Sequence, residues 1–107
     1  TVMAKYIYIG TYSSAGVEGL ISGDSDRAAV VKALADSVGA KVISVDITRG
    51  IYDFCVIIEA SSFEVSAAIA LKVRASGAFD ELITLEAVDI NEVRKASKPV
   101  NYTPPQS

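Results

Sequence analysis

The stretch Thr48-Arg49-Gly50-Ile51-Tyr52-Asp53 lies between two apolar runs and sets how the rest of the chain can fold. Before it comes Lys41-Val42-Ile43-Ser44-Val45-Asp46-Ile47, and after it Phe54-Cys55-Val56-Ile57-Ile58. Both runs are rich in β-branched residues and lack glycine and proline, so both are expected to be strands. Gly50 permits the positive φ that a tight reversal often needs. The expected unit is an antiparallel hairpin with its loop at residues 49–52. Pairing Thr48 with Asp53 sets Ile47 against Phe54, Val45 against Val56 and Ile43 against Ile58, so one side is apolar throughout. The other side carries Ser44, Asp46, Asp53, Cys55, Ile57 and Glu59. A slip of one residue would mix the two sets, which argues for this register.

The flanking segments supply two more strands and the helices. Residues 4–12 alternate, with Ile7 and Ile9 on one side and Tyr6, Tyr8 and Tyr12 on the other. Gly10 in that strand marks a bulge, a close backbone approach or a ligand notch. Ser13 or Ser14 is expected to cap a short helical turn carrying Val17, Leu20 and Ile21. A longer helix is expected from Asp24 or Ser25 to about Val38, with Val30, Leu34 and Val38 as its buried stripe. Gly39 ends it. Beyond the hairpin, Ser61 and Glu64 have the spacing of a capping box. The helix that follows reaches about Ala75, with the stripe Val65, Ile69, Val73 and with Lys72 and Arg74 in its favoured last turn. Residues 79–88 read as the fourth strand, Asp89 as the cap of a short helix over 90–96, and the prolines at 99, 104 and 105 as an extended tail.

The order β-α-β-β-α-β is the split βαβ pattern. The expectation is an α+β, ferredoxin-like fold: a four-stranded antiparallel sheet with the second and fourth strands outside and the helices on one face. One domain spans 4–98, and 99–107 form the proline-containing tail. The covered face is expected to hold Ile7, Ile9, Ile43, Val45, Ile47, Phe54, Val56, Ile58, Ile83 and Leu85. The bare face is expected to hold Tyr6, Tyr8, Tyr12, Ser44, Asp46, Asp53, Cys55, Ile57, Glu59, Leu82, Thr84 and Glu86. That mixture suits a subunit interface or a lined cavity.

Gly50-Ile51-Tyr52-Asp53 resembles the G-x-Y-D signature of the GYD domain family, small bacterial and archaeal proteins of mostly unassigned function. Ala4-Lys5-Tyr6 with Gly10-Thr11-Tyr12 is similar to that family's first strand. Ser66-Ala67-Ala68 with Ala75-Ser76-Gly77 resembles its second helix, and Tyr102-Thr103-Pro104-Pro105 its tail. The resemblance implies the ferredoxin-like fold and pairing as a dimeric α/β barrel. The hairpin is also similar to that of the amino-acid-binding domain of Lrp/AsnC-type regulators, although no helix-turn-helix precedes it here.

Composition narrows the function. Of 107 residues, 50% are hydrophobic, high for one small domain, which points to a homodimer or larger homo-oligomer. The net charge of −3 argues against nucleic-acid binding. No apolar run reaches the roughly 18 residues of a membrane span. No charged-then-apolar leader stands at the N-terminus, and Met3 is the expected natural start. One cysteine allows no internal disulfide, and a cytoplasmic location is expected. With no histidine, His-based triads and His-containing zinc sites are excluded. No cofactor or metal is expected.

The candidate ligand-binding residues are Tyr6, Tyr8, Tyr12, Arg49, Tyr52, Asp53 and Thr84. Arg49 has the chemistry to capture a carboxylate. Asp53 equally suits bonding to nearby backbone amides, and Tyr52 suits packing. Three functions stay open: a non-catalytic small-molecule-binding or sensor module, a cofactor-independent barrel enzyme of monooxygenase or isomerase type, and a structural assembly subunit. The last requires an interior plugged by side chains.

Overall fold

The computed structural model describes residues 3–23 and 26–106. Its elements run β1 (Ala4–Tyr12), α1 (Ser14–Ser22), α2 (Arg27–Asp36), β2 (Lys41–Ile47), β3 (Phe54–Ala60), α3 (Phe63–Ala75), β4 (Phe79–Glu86) and α4 (Ile90–Ser97). The strands form one antiparallel sheet in the order β2-β3-β1-β4. This is the ferredoxin-like arrangement, with the second and fourth strands at the edges.

The hairpin keeps the expected register where Ile47 meets Phe54 and Val45 meets Val56. Thr48 N–H donates to the Asp53 carbonyl at 2.8 Å, closing the loop, and Gly50 has φ +135°. Further along, a register shift between Val42 and Ser44 pairs Val42, not Ile43, with Ile58. Ile43 is the residue left over, and it is 43% exposed.

The tyrosines face the opposite way from the expectation. Tyr6 pairs with Ile58 and Tyr8 with Val56, so both rings share the face of the hairpin's apolar side. That face lies under the helices: Tyr6 is 1% exposed, Tyr8 5% and Phe54 5%. The side chains one residue out of phase point to the other face. Ile7 pairs with Ile57 and Leu85, and Ile9 with Cys55 and Ile83. The bare face is therefore largely aliphatic, and none of these six side chains is buried. The physical reason is that a tyrosine ring carries a large apolar area and needs only one hydrogen-bond partner, so it buries well when the partner is provided.

The helices also differ in detail. What was expected as a helical turn after Ser13 is a nine-residue helix, capped by the Ser13 Oγ accepting from Gly16 N–H. Asp24 and Ser25 lie outside the described residues. Asp26 is the cap of α2, its carboxylate accepting from Ala28 and Ala29. Val38 falls beyond the end of α2 and is 42% exposed. The cap of α3 is Ser62, which accepts from Val65 N–H, so the Ser61–Glu64 capping box does not form. Asp89 caps α4 as expected, but α4 buries no residue. Val88, Ile90, Val93, Val100 and Tyr102 all remain exposed along this C-terminal segment. The Cα radius of gyration is 17.3 Å, against about 13 Å for a closed domain of this length. The single chain thus leaves much apolar surface uncovered.

Gly10 is explained by close approach. A Cβ there would stand 2.0 Å from the Glu81 carbonyl oxygen and 3.0 Å from the Phe54 ring. Gly10→Ala is expected to destabilise the fold by about 2 kcal/mol or more, since the backbone of β4 must shift. The melting temperature should fall by roughly 10 °C. An unchanged value in a thermal scan would show that β1 and β4 separate at no cost.

Candidate functional site

Between the sheet and the helices α2 and α3 lies a cavity of about 400 Å³. Its floor is the covered face of the sheet, including Tyr8, Val45, Phe54 and Val56. Its walls come from Val31 and Leu34 of α2 and from Ile69, Ala70 and Val73 of α3. Small residues line it at Gly16, Ala35, Ala70 and Ala78, where larger side chains would fill the space. It opens to solvent beside Val30 and Ile47, each 52% exposed.

Two polar devices hold the walls in place. The Tyr8 hydroxyl meets the Ser66 hydroxyl at 2.5 Å and donates to the Ser66 carbonyl at 3.3 Å. Ser66 is fully buried, so this pair ties α3 to the central strand. At another point Ser13 N–H donates to the Ala78 carbonyl at 2.9 Å, and Ser13 Oγ to the Gly77 carbonyl at 2.8 Å. These bonds tie the start of α1 to the turn before β4.

Three aromatic rings gather on the sheet side. Tyr12, Phe54 and Phe79 have ring centroids 5.1 to 5.3 Å apart, in stacked and edge-on arrangements. All three line the cavity. Beside Tyr12, the Asp53 carboxylate accepts the Tyr12 N–H at 3.0 Å, and Asp53 N–H donates to the Gly10 carbonyl at 2.7 Å. Asp53 thus pins the end of the hairpin to β1, across a register shift between Thr11 and Tyr12. It bonds backbone, as its residue type suggested, but on a neighbouring strand.

Arg27 is the charged residue of the cavity lining, at the first position of α2. Its guanidinium reaches toward α1, with Nη2 3.6 Å from where a Cβ would stand on Gly19. Its Nε is buried and has no hydrogen-bond partner among the described residues. Arg27 and Asp53 both act on the Tyr12 phenol: burial raises its pKa most, the Arg27 charge lowers it and the Asp53 charge raises it.

The sequence-derived candidates therefore separate. Tyr8 and Tyr12 line the cavity. Tyr6 is buried beyond it, and Thr84 pairs with Tyr8 at the edge strand. Asp53 braces Tyr12 from outside the lining. Arg49 is exposed at the loop, and Tyr52 is half-buried there, its carbonyl accepting from Thr48 Oγ1 at 2.6 Å. Arg27 was missed, although a cation in a helix's first turn opposes the helix dipole and is a local inconsistency visible in the sequence. Among the described residues no group of three or more His, Cys, Asp or Glu is placed to hold a metal ion. Among them, too, no helix is long and apolar enough to cross a membrane.

The family model of the GYD domain matches residues 6–97. The chain belongs to the GYD domain family. The match covers β1 through α4 and so includes every wall of the cavity. No curated protein matches the chain. In this GYD domain the residues of the signature, Gly50, Tyr52 and Asp53, build and brace the hairpin and do not line the cavity.

The buried phenols give the fold an alkaline limit. Burial raises the pKa of Tyr6, Tyr8 and Tyr12 above the ordinary phenol value. Their contribution is then fully present below the unfolded-state pKa of about 10 and is lost as pH rises through the folded values. The urea midpoint is expected to hold steady from pH 7 to 9 and to fall above about pH 10. Phenolate absorbance should grow in step with unfolding. Ionisation of all phenols at pH 10 with no loss of stability would contradict this placement of the rings.

Proposed function

We propose that this GYD domain is a non-catalytic small-molecule-binding or sensor module, and that it works as a homo-oligomer. The observation that carries the reading is the apolar cavity between sheet and helices. Its volume lies in the range of ligand pockets, its walls are mostly aliphatic and aromatic, and its polar groups are few. The residues around it offer no paired acid and base. The Tyr8 hydroxyl is engaged with Ser66, and the Asp53 carboxylate with a backbone amide. A purely structural role fits poorly with an interior left unfilled beside Tyr8 and Tyr12.

The assembly part of the proposal rests on the bare sheet face. Ile7, Ile9, Ile57, Ile83 and Leu85 form an aliphatic surface that a second copy of the same sheet would cover. Apolar patches of this kind are uncommon on monomers.

Two experiments test the parts separately. The neutral fluorophore N-phenylnaphthylamine is expected to bind with enhanced emission, and Ala70→Phe, which fills the cavity, is expected to weaken binding at least about tenfold, or about 1.4 kcal/mol. Equal binding by the variant would place the site elsewhere. Light scattering at micromolar concentration is expected to show a dimer or larger species, and Ile57→Glu is expected to convert it to a folded monomer. A wild-type monomer would refute the assembly.

A further inference from the structure

The cavity has a chemical polarity that its apolar walls hide. Among the described residues that line it, Arg27 alone is charged, and no carboxylate joins it there. Among the described residues, the acids nearest in the chain and in the site are already committed. Asp26 caps α2 by accepting from Ala28 and Ala29, and Asp53 accepts from Tyr12 N–H. Among the described residues, neither lies within 4 Å of the guanidinium. The Arg27 Nε is buried and, among the described residues, without a hydrogen-bond partner. A buried donor left unpaired is costly, and more so when it belongs to a cation. Nor does the helix relieve it, because the first turn of α2 is the positive end of the dipole. The same dipole favours an anion at that point.

We infer that the ligand of this cavity is a monocarboxylate: an apolar body lying on Phe54, Phe79 and Val56, with its carboxylate held by Arg27. The inference rests on the small-molecule reading above. A guanidinium presents a planar fork that matches a carboxylate with two parallel hydrogen bonds. Tyr12 also lines the cavity, and its phenol hydroxyl is a donor the same anion could accept from. The volume limits the body. At about 30 Å³ for each water-sized group, the cavity takes roughly thirteen non-hydrogen atoms. A medium-chain acid or a substituted benzoate fits this limit, whereas a long-chain fatty acid would protrude past Val30 and Ile47.

The test compares two probes of equal tail, decanoate and decanol, each displacing N-phenylnaphthylamine from the full chain. Decanoate is expected to compete at about tenfold lower concentration than decanol, as a charge-assisted hydrogen bond requires. Arg27→Met is expected to remove that preference while leaving decanol within about twofold, and Arg27→Lys to restore part of it. Circular dichroism of each variant confirms the fold. If the fluorophore binds but acid and alcohol compete equally in the wild type, the carboxylate assignment is overturned and the cavity reading stands. A preference that survives in Arg27→Met overturns the role of Arg27. If the fluorophore does not bind at all, both readings fail.

Discussion

The contact between the Tyr8 hydroxyl and Ser66 is the constraint on which the arrangement depends. It joins the central strand to α3 inside the protein, where neither group could be left unpaired without a cost of about 1–3 kcal/mol. Once Tyr8 points toward α3, the two-residue period of the strand sends Tyr6 the same way and Ile7 and Ile9 the other. The neighbours follow through the ladder: Val56, Ile58 and Thr84 join the tyrosine side, while Cys55, Ile57, Ile83 and Leu85 join the isoleucine side. One buried hydrogen bond thereby sorts the sheet into a face that carries a cavity and a face that lacks a cover.

This sorting was the part least legible in the sequence. The hairpin could be read because its two sides differ: Ser44, Asp46 and Glu59 oppose Val45, Phe54 and Ile58, so only one parity buries an apolar face. Strand β4 keeps the expected phase relative to β1, with Thr84 opposite Tyr8. In β1, however, isoleucine alternates with tyrosine, and both sets are apolar enough to be buried. Polarity ranks tyrosine outward, yet ring area and an available partner on α3 rank it inward, and the second effect wins. The partner, Ser66, lies 58 residues away, and nothing local in the sequence announces it.

Smaller departures have the same origin. Ser61 and Ser62 offer equal capping chemistry, and the chain uses the second. The extra residue in β2 cannot be seen in a run of Val42 and Ile43, because either side chain satisfies the inward position. Period alone carries the α2 stripe on to Val38, whereas the helix ends at Asp36 and the chain turns through Gly39 at φ +71°. The cavity itself left only indirect traces. Alanines at 35, 70 and 78 read as ordinary small residues until the opposing walls are placed, and Arg27 reads as a solvated helix residue until its Nε is found buried.

The remaining question is why such a space persists. The space opens to solvent beside Val30 and Ile47, so its apolar lining meets water instead of packed side chains, and closing it over would be favoured. The walls give water few hydrogen-bonding partners, since Tyr8 and Ser66 satisfy each other and most of the lining is hydrocarbon. Collapse of α3 onto the sheet is resisted at the point where Tyr8 holds Ser66, and collapse at the α1 end by the bonds of Ser13 to Gly77 and Ala78. The polar ties therefore act as spacers: they fix the helices at a height the side chains beneath do not fill. An occupant that binds only the folded chain recovers the lost contacts and adds to stability by mass action. A chain built this way would gain stability from any molecule that fits the space, with no moving part beyond the tightening of walls already in place.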